Sequence, residues 1–209
     1  MKIRVGTFNL FQFVEPPFSW YTKKEKFNTE QWNQKTAWIK NQISEMNCDI
    51  IGFQEVFSKK ALKTLLDELG FKYFKTIDSP RIDKKNELVY TSTIVALASK
   101  YPIKNLKKVE IDFSALKKHH LNGFFKFARE PIKATITLAN QKELDIYVCH
   151  LKSNRDNEFE YVFTKNSTLS EKKEKVKKAL EENYSSSLKQ RLCEASSIFS
   201  DISRTKNPA

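Results

Sequence analysis

The segment Asp49-Ile50-Ile51-Gly52-Phe53 constrains the fold more than any other stretch of this chain. It is short, apolar on both parities and opened by β-branched residues, so it predicts a strand buried on both faces. Such a strand needs a covering layer on each side. Polar Gln54-Glu55 ends it, and Ser58 stands where the N-cap of a following helix belongs. In that helix Leu62, Leu65, Leu66 and Leu69 form one stripe, and Gly70 takes the position just past its end.

The flanking sequence supplies the layers. Ile3, Val5 and Thr7 alternate with Lys2, Arg4 and Gly6, which predicts an opening strand ending near Asn9-Leu10, before Pro16-Pro17 imposes a loop. Asn28 with Gln31 matches a capping box, and Trp32, Ile39, Ile43 and Met46 follow on one face of a helix that runs to about Asn47. Val89 to Leu97 reads as another central strand, followed by a turn at Ser99-Lys100-Tyr101-Pro102-Ile103. The clearest hairpin has Ile132, Ala134, Ile136 and Leu138 in one arm and Leu144, Ile146 and Val148 in the other, joined at Asn140-Gln141. The basic stretch from Ile111 to Arg129 shows no clear period. Thr168 with Glu171 opens a helix carrying Val176 and Leu180; Leu188, Leu192, Ala195, Phe199 and Ile202 mark another, with Asn183 to Ser187 between them. Strands alternating with helices predict a mixed α/β fold, and 209 residues suit one domain spanning 1–209.

Thirty-seven Lys and Arg against 25 Asp and Glu leave a formal charge of +12, which points towards a phosphate-rich partner, nucleic acid or an anionic membrane surface. Solvated lysine-rich helices produce the same excess. Thr7, Asn9 and Gln12 interrupt the apolar run that a signal peptide needs, and no window of about 18 apolar residues exists for a transmembrane helix. Cys48, Cys149 and Cys193 are scattered, as expected of buried thiols in a reducing, cytoplasmic setting.

Four polar residues fall at or beside strand ends: Asn9, Glu55, Arg129 and His150. Strand ends let a side chain leave the packed core while its backbone stays rigid, which suits binding and catalysis. Taken singly, each has an ordinary reading: a turn asparagine, a solvated carboxylate at a helix start, a surface cation and a hydrogen-bonded core histidine.

Together and in order, they sit in segments that resemble successive signatures of the endonuclease/exonuclease/phosphatase (deoxyribonuclease I-like) family. The segments are Thr7-Phe8-Asn9-Leu10, Asp49-Ile50-Ile51-Gly52-Phe53-Gln54-Glu55-Val56, Ser99-Lys100-Tyr101-Pro102-Ile103, Phe127-Ala128-Arg129-Glu130-Pro131 and Cys149-His150-Leu151-Lys152-Ser153. The resemblance implies a two-sheet α/β sandwich with helices outside and an active site at one rim. It also implies a metal-dependent phosphodiester hydrolase, most simply a nuclease. By the same resemblance Glu55 holds Mg²⁺ (or Mn²⁺), and Asn9 lies beside the metal and the scissile phosphate. Arg129 contacts substrate phosphate, His150 donates to it and assists the leaving oxygen, and Lys152 adds a further phosphate contact. Family members continue with an Asp-x-Asn strand and a later Asp-His pair. This sequence stops at Lys206-Asn207-Pro208-Ala209. The C-terminal strands are therefore expected to be missing, leaving an unpaired sheet edge and impairing activity of the chain alone. Where some apurinic-site members carry an acidic residue two positions past the asparagine, this chain has Phe11. The alternatives are a phosphoinositide or sphingomyelin-type phosphoesterase, an inactive truncated copy or nucleic-acid-binding fragment, and one part of an enzyme completed by a second polypeptide.

Overall fold

The computed structural model describes residues 2–121, 124–153, 166–182 and 186–208. Its contacts fall into two compact units made of interleaved segments: 1–109 with 129–150 and 205–209, and 110–128 with 151–204.

The first unit is built around the strand that the apolar run predicts. β3 (Ile50–Val56) lies between β1 (Val5–Phe13), parallel to it, and β7 (Ile94–Ser99), antiparallel, and β4 (Tyr73–Lys75) completes a sheet of order β1-β3-β7-β4. Both faces of β3 are covered, and successive side chains serve opposite faces. Ile51 and Phe53 join the buried cluster that includes Ile39 and Ile43 of α1 (Thr29–Met46) and Leu62, Leu65 and Leu66 of α2 (Lys59–Glu68). Ile50, with Val95 and Leu97 of β7, packs instead against Ile132, Ala134, Ile136 and Val148 of a second sheet. That sheet has the order β10-β9-β8, formed by β8 (Ile103–Lys108), β9 (Ile132–Thr137) and β10 (Glu143–Val148). The core of the first unit is thus a two-sheet α/β assembly, and the β9–β10 hairpin pairs as its alternation predicts, from Glu143↔Thr137 to Val148↔Ile132. Gly52 marks the closest approach of the two sheets: a Cβ there would meet both Val148 methyls at 3.0 Å.

A third small sheet, β2-β6-β5, is made of β2 (Ser19–Trp20), β5 (Ile82–Asp83) and β6 (Asn86–Tyr90). It corrects the expectation of one strand from Val89 to Leu97, because Thr91-Ser92-Thr93 break the run and send its two halves to different sheets. The Thr93 hydroxyl donates to the Val56 carbonyl at 3.2 Å, so the break is bonded rather than loose.

The capping box at Asn28 forms in both directions, Gln31 N–H to Asn28 Oδ1 at 2.8 Å and Asn28 N–H to Gln31 Oε1 at 2.9 Å. Ser58 takes the expected N-cap position of α2 but makes no side-chain cap bond, its hydroxyl accepting the Glu15 N–H at 2.8 Å instead. Gly70 has a φ of +82°, the left-handed geometry its position after the helix requires.

The edge of β10 is met by residues 205–208 of the same unit. Asp145 N–H donates to the Pro208 carbonyl at 2.8 Å. The buried Asp145 carboxylate accepts from Thr135 Oγ1 at 2.7 Å, from Asn207 Nδ2 at 3.2 Å and from Thr205 Oγ1.

In the second unit the unperiodic basic stretch contains a short helix, α3 (Phe113–Lys118), N-capped by Asp112. α4 (Leu169–Glu182) begins at the predicted Thr168/Glu171 box, with Thr168 N–H donating to Glu171 Oε2 at 2.8 Å. Of the stretch expected to separate it from the next helix, 183–185 lie outside the described residues, and α5 (Ser186–Ser203) starts at Ser186. The expected apolar stripe of α5 is corrected: Phe199 is 73% exposed, whereas Glu194, Ser197 and Asp201 are buried. The reason is polar satisfaction. Glu194 accepts the backbone N–H groups of Ala128 and Lys152 at 2.8 and 2.6 Å, Ser197 that of Asp112 at 3.0 Å, and Asp201 that of Glu110 at 3.1 Å.

The close approach at Gly52 yields a test. Gly52→Val is expected to destabilise the chain by about 1–3 kcal/mol in urea unfolding, the usual cost of overpacking a core. Adding Val148→Ala should restore part of that loss. A double variant no more stable than the single one would mean that the sheets do not meet there.

Candidate active site

Parallel pairing of β1 with β3 runs in step from Val5↔Ile50 to Asn9↔Gln54 and resumes at Phe13↔Val56. Between those points three β1 residues, 10–12, lie opposite one β3 residue, Glu55. On the other side of β3, pairing with β7 also slips between Phe53 and Val56. Glu55 therefore sits in an irregularity shared by both ladders, the kind of bulge that re-aims a side chain. Its φ is +60°, and those of Phe11 and Gln12 are +48° and +60°. Non-glycine residues seldom adopt that region, at a cost of order 1–3 kcal/mol each.

The bulge directs hydrogen bonds at the Glu55 carboxylate. Asn9 Nδ2 donates to Oε1 at 3.1 Å and Gln12 N–H to Oε2 at 3.0 Å. Asn9 uses its other end locally, Oδ1 accepting the Phe11 N–H at 2.9 Å. The Asn9 amide is thereby oriented, and Glu55 is held through both oxygens.

His150 follows β10 and is half-buried. Burial lowers its proton affinity below the usual 6.5, the Arg129 guanidinium lowers it further, and the Glu55 carboxylate opposes both. Glu55 and Arg129 are thus each within electrostatic reach of His150, with Asn9 bonded to Glu55. At neutral pH the imidazole is uncharged. Its Nδ1 is buried without a partner among the described residues. A bare acceptor is less costly to bury unpaired than an N–H, so the proton belongs on Nε2, which is then a donor.

Lys35 of α1 completes the group, and the sequence reading missed it. Its Nζ donates to the Phe11 carbonyl at 2.8 Å; burial lowers its proton affinity while Glu55 raises it. The signal was available, since Lys35 lies three residues after Trp32 and four before Ile39, a lysine on the apolar stripe. Lys152 belongs to the second unit, where its Nζ donates to Ser153 O and Ser187 Oγ, each at 3.4 Å.

The donors fit a hard divalent cation. Among the described residues the carboxylate receives two hydrogen bonds, which leaves about half of its roughly four lone-pair sites open. No cluster of three or more His, Cys, Asp or Glu that could hold a metal occurs among those residues. A cation at Glu55 would take most of its shell from water and substrate oxygen, as Mg²⁺ does where one or two carboxylates hold it. Among the described residues no helix is long and apolar enough to cross a membrane. Cys48, Cys149 and Cys193 are unbridged.

His150 makes the site acid-sensitive. Its folded proton affinity is depressed, so its contribution to stability is complete above the unfolded value near 6.5 and is lost as pH falls through the lower folded value. Melting temperature should drop over that interval in the wild type, and less steeply in His150→Asn. Identical profiles for the two would contradict the burial assigned to the imidazole.

No family model and no curated protein matches the chain. Solved structures that do match include the human Nocturnin catalytic domain with bound sulfate anion, 19% identical at a TM-score of 0.44, covering 59% of this chain and 44% of that one. An endonuclease/exonuclease/phosphatase from Beutenbergia cavernae is 14% identical at a TM-score of 0.45, over 73% of this chain and 39% of that one. D. rerio TDP2 complexed with single strand DNA product is 12% identical at a TM-score of 0.39, over 78% and 53%. The chain spans about half the length of these structures or less, 39% to 53%. In the order of its strand-end motifs and in its two facing sheets, the chain resembles the endonuclease/exonuclease/phosphatase family.

Proposed function

We propose that this chain carries the phosphate-binding part of a divalent-metal-dependent phosphodiester hydrolase that acts on nucleic acid. The observation behind this reading is the Glu55 carboxylate, fixed through both oxygens by Asn9 and Gln12, with His150 in electrostatic reach of both it and Arg129. A carboxylate held in strained backbone, with part of its coordinating capacity open and basic groups around it, suits a cation that arrives together with a phosphate.

Each residue then has a role. Glu55 holds Mg²⁺ or Mn²⁺, and Asn9 orients Glu55. Arg129 grips two phosphate oxygens through its planar guanidinium. His150, neutral, donates from Nε2 to a phosphoryl oxygen and strengthens that bond as charge grows in the transition state. Lys152, in the second unit, is assigned a phosphate contact by the family resemblance alone. The cation, when bound, supplies Lewis-acid neutralisation of the phosphoryl oxygens. The +12 charge favours a polyanionic substrate over a single headgroup ester.

Two measurements test this. In calorimetry Glu55→Gln should weaken Mn²⁺ binding at least about tenfold, since a neutral amide replaces the anionic ligand a hard cation prefers. Unchanged affinity would remove Glu55 from the metal site. With plasmid DNA or RNA as substrate, His150→Ala and Arg129→Ala should each reduce hydrolysis by about 10²–10³-fold, the usual cost of losing one transition-state donor. Binding of either nucleic acid should weaken steeply with salt as counterions are released. Hydrolysis confined to phospholipid headgroup esters would replace the nucleic-acid reading with the phosphoesterase one.

A further inference from the structure

Phe11 is 69% exposed although it is a large aromatic, and its φ of +48° is one that a phenylalanine rarely adopts. Both features are unfavourable, and a loop free to relax would bury the ring or carry glycine at that position. Three contacts hold it. Asn9 Oδ1 accepts its N–H at 2.9 Å, Lys35 Nζ donates to its carbonyl at 2.8 Å, and the same ammonium lies 5.6 Å from its ring centroid and 5.0 Å from that of Phe27. Asn9 is also the side chain that donates to Glu55 at 3.1 Å. One amide therefore sets both the exposed ring and the carboxylate, and ties their separation to a single turn of backbone.

We propose that Phe11 is a stacking platform for an unpaired nucleobase next to the phosphate held at Glu55, so that the site takes single-stranded nucleic acid, or a frayed end, in preference to paired duplex. This rests on the nucleic-acid reading above and narrows it. An exposed ring fixed beside a phosphate site offers what a single strand has free, the face of a base, and stacking tolerates any sequence because every base has such a face. In a duplex both faces of each internal base are covered, and one is released only by unstacking. A headgroup ester without an aromatic ring gains nothing from Phe11.

The test compares wild type, Phe11→Gly and Phe11→Trp as full chains. Fluorescence anisotropy would follow a labelled oligothymidine and its duplex with oligoadenosine, with Ca²⁺ in place of Mg²⁺ to suppress cleavage. Phe11→Gly should bind the single strand about 5–150-fold more weakly, which is the 1–3 kcal/mol a stacked base is worth at 1.4 kcal/mol per tenfold. Its duplex affinity should move by no more than about twofold, and Phe11→Trp should match or exceed wild type on the single strand. Glycine is unstrained at positive φ, so Phe11→Gly should melt at or above the wild-type temperature, which separates loss of the ring from loss of the fold. The slope of log affinity against log salt should stay the same, because the ring contacts no phosphate. Equal single-strand binding by Phe11→Gly and wild type overturns the platform and leaves the nucleic-acid reading standing. Equal losses on single strand and duplex, or a shallower salt slope, also overturn it. A wild type that binds neither form overturns the nucleic-acid reading itself, and that is visible without any variant.

Discussion

The mismatch of three β1 residues against one β3 residue at Glu55 governs the arrangement around it. A buried strand must satisfy its backbone groups, and where a ladder fails other partners must take over. Here the Glu55 side chain takes over, accepting the Gln12 N–H that regular pairing would have sent to a carbonyl. Asn9 then bonds forward to Phe11 and across to Glu55, and Lys35 reaches from α1 to the Phe11 carbonyl. Three left-handed residues, Phe11, Gln12 and Glu55, persist because these bonds over-determine them. The same slip lets Leu10 and Phe13 keep their places in the core while the residues between them face the site.

Charge follows from that geometry. Glu55 raises the proton affinities of both Lys35 and His150, and burial lowers both. A carboxylate is thus set beside a lysine and an imidazole, and the imidazole in turn beside an arginine. On the proposed reading a lone divalent cation would enter against Lys35 and Arg129, whereas a cation paired with a phosphate meets complementary charge. Metal and phosphate then reinforce each other's binding, a coupling that is reciprocal by thermodynamic necessity.

Much of this was legible in the sequence because it rests on local rules. A doubly covered β3, the Asn28 and Thr168 capping boxes and the β9–β10 hairpin each follow from period or end chemistry, and each is present. What escaped was set by tertiary partners. Ser58 reads as a cap, yet its hydroxyl serves the Glu15 amide 43 positions away. The leucine and phenylalanine spacing of α5 suggested the wrong buried face, since stranded backbone N–H groups recruited Glu194, Ser197 and Asp201 inward. Asn9, Glu55, Arg129 and His150 could be named from strand ends. The bulge that joins Asn9 to Glu55 could not, because register is a relation between strands. Lys35 was visible as a cation on an apolar stripe, but its acceptor is a carbonyl whose direction depends on the left-handed turn.

Asp145 ties the segment at 205–208 to the edge of β10 in two ways: its carboxylate accepts from Thr205 and Asn207, and its backbone N–H donates to the Pro208 carbonyl. Burial alone would favour its protonated form, but hydrogen bonds from Thr205, Thr135 and Asn207, with the Lys133 charge, outweigh it and hold its proton affinity below the ordinary carboxylate value. Stability from this clamp is complete above the unfolded value and declines as pH falls through the lower folded one. As pH falls through that lower value the carboxylate's hold on Thr205 and Asn207 weakens, while the backbone bond from Asp145 to Pro208 does not depend on its charge. A single residue thus acts as gatekeeper of this sheet edge, joining an edge strand's backbone to the segment that covers it.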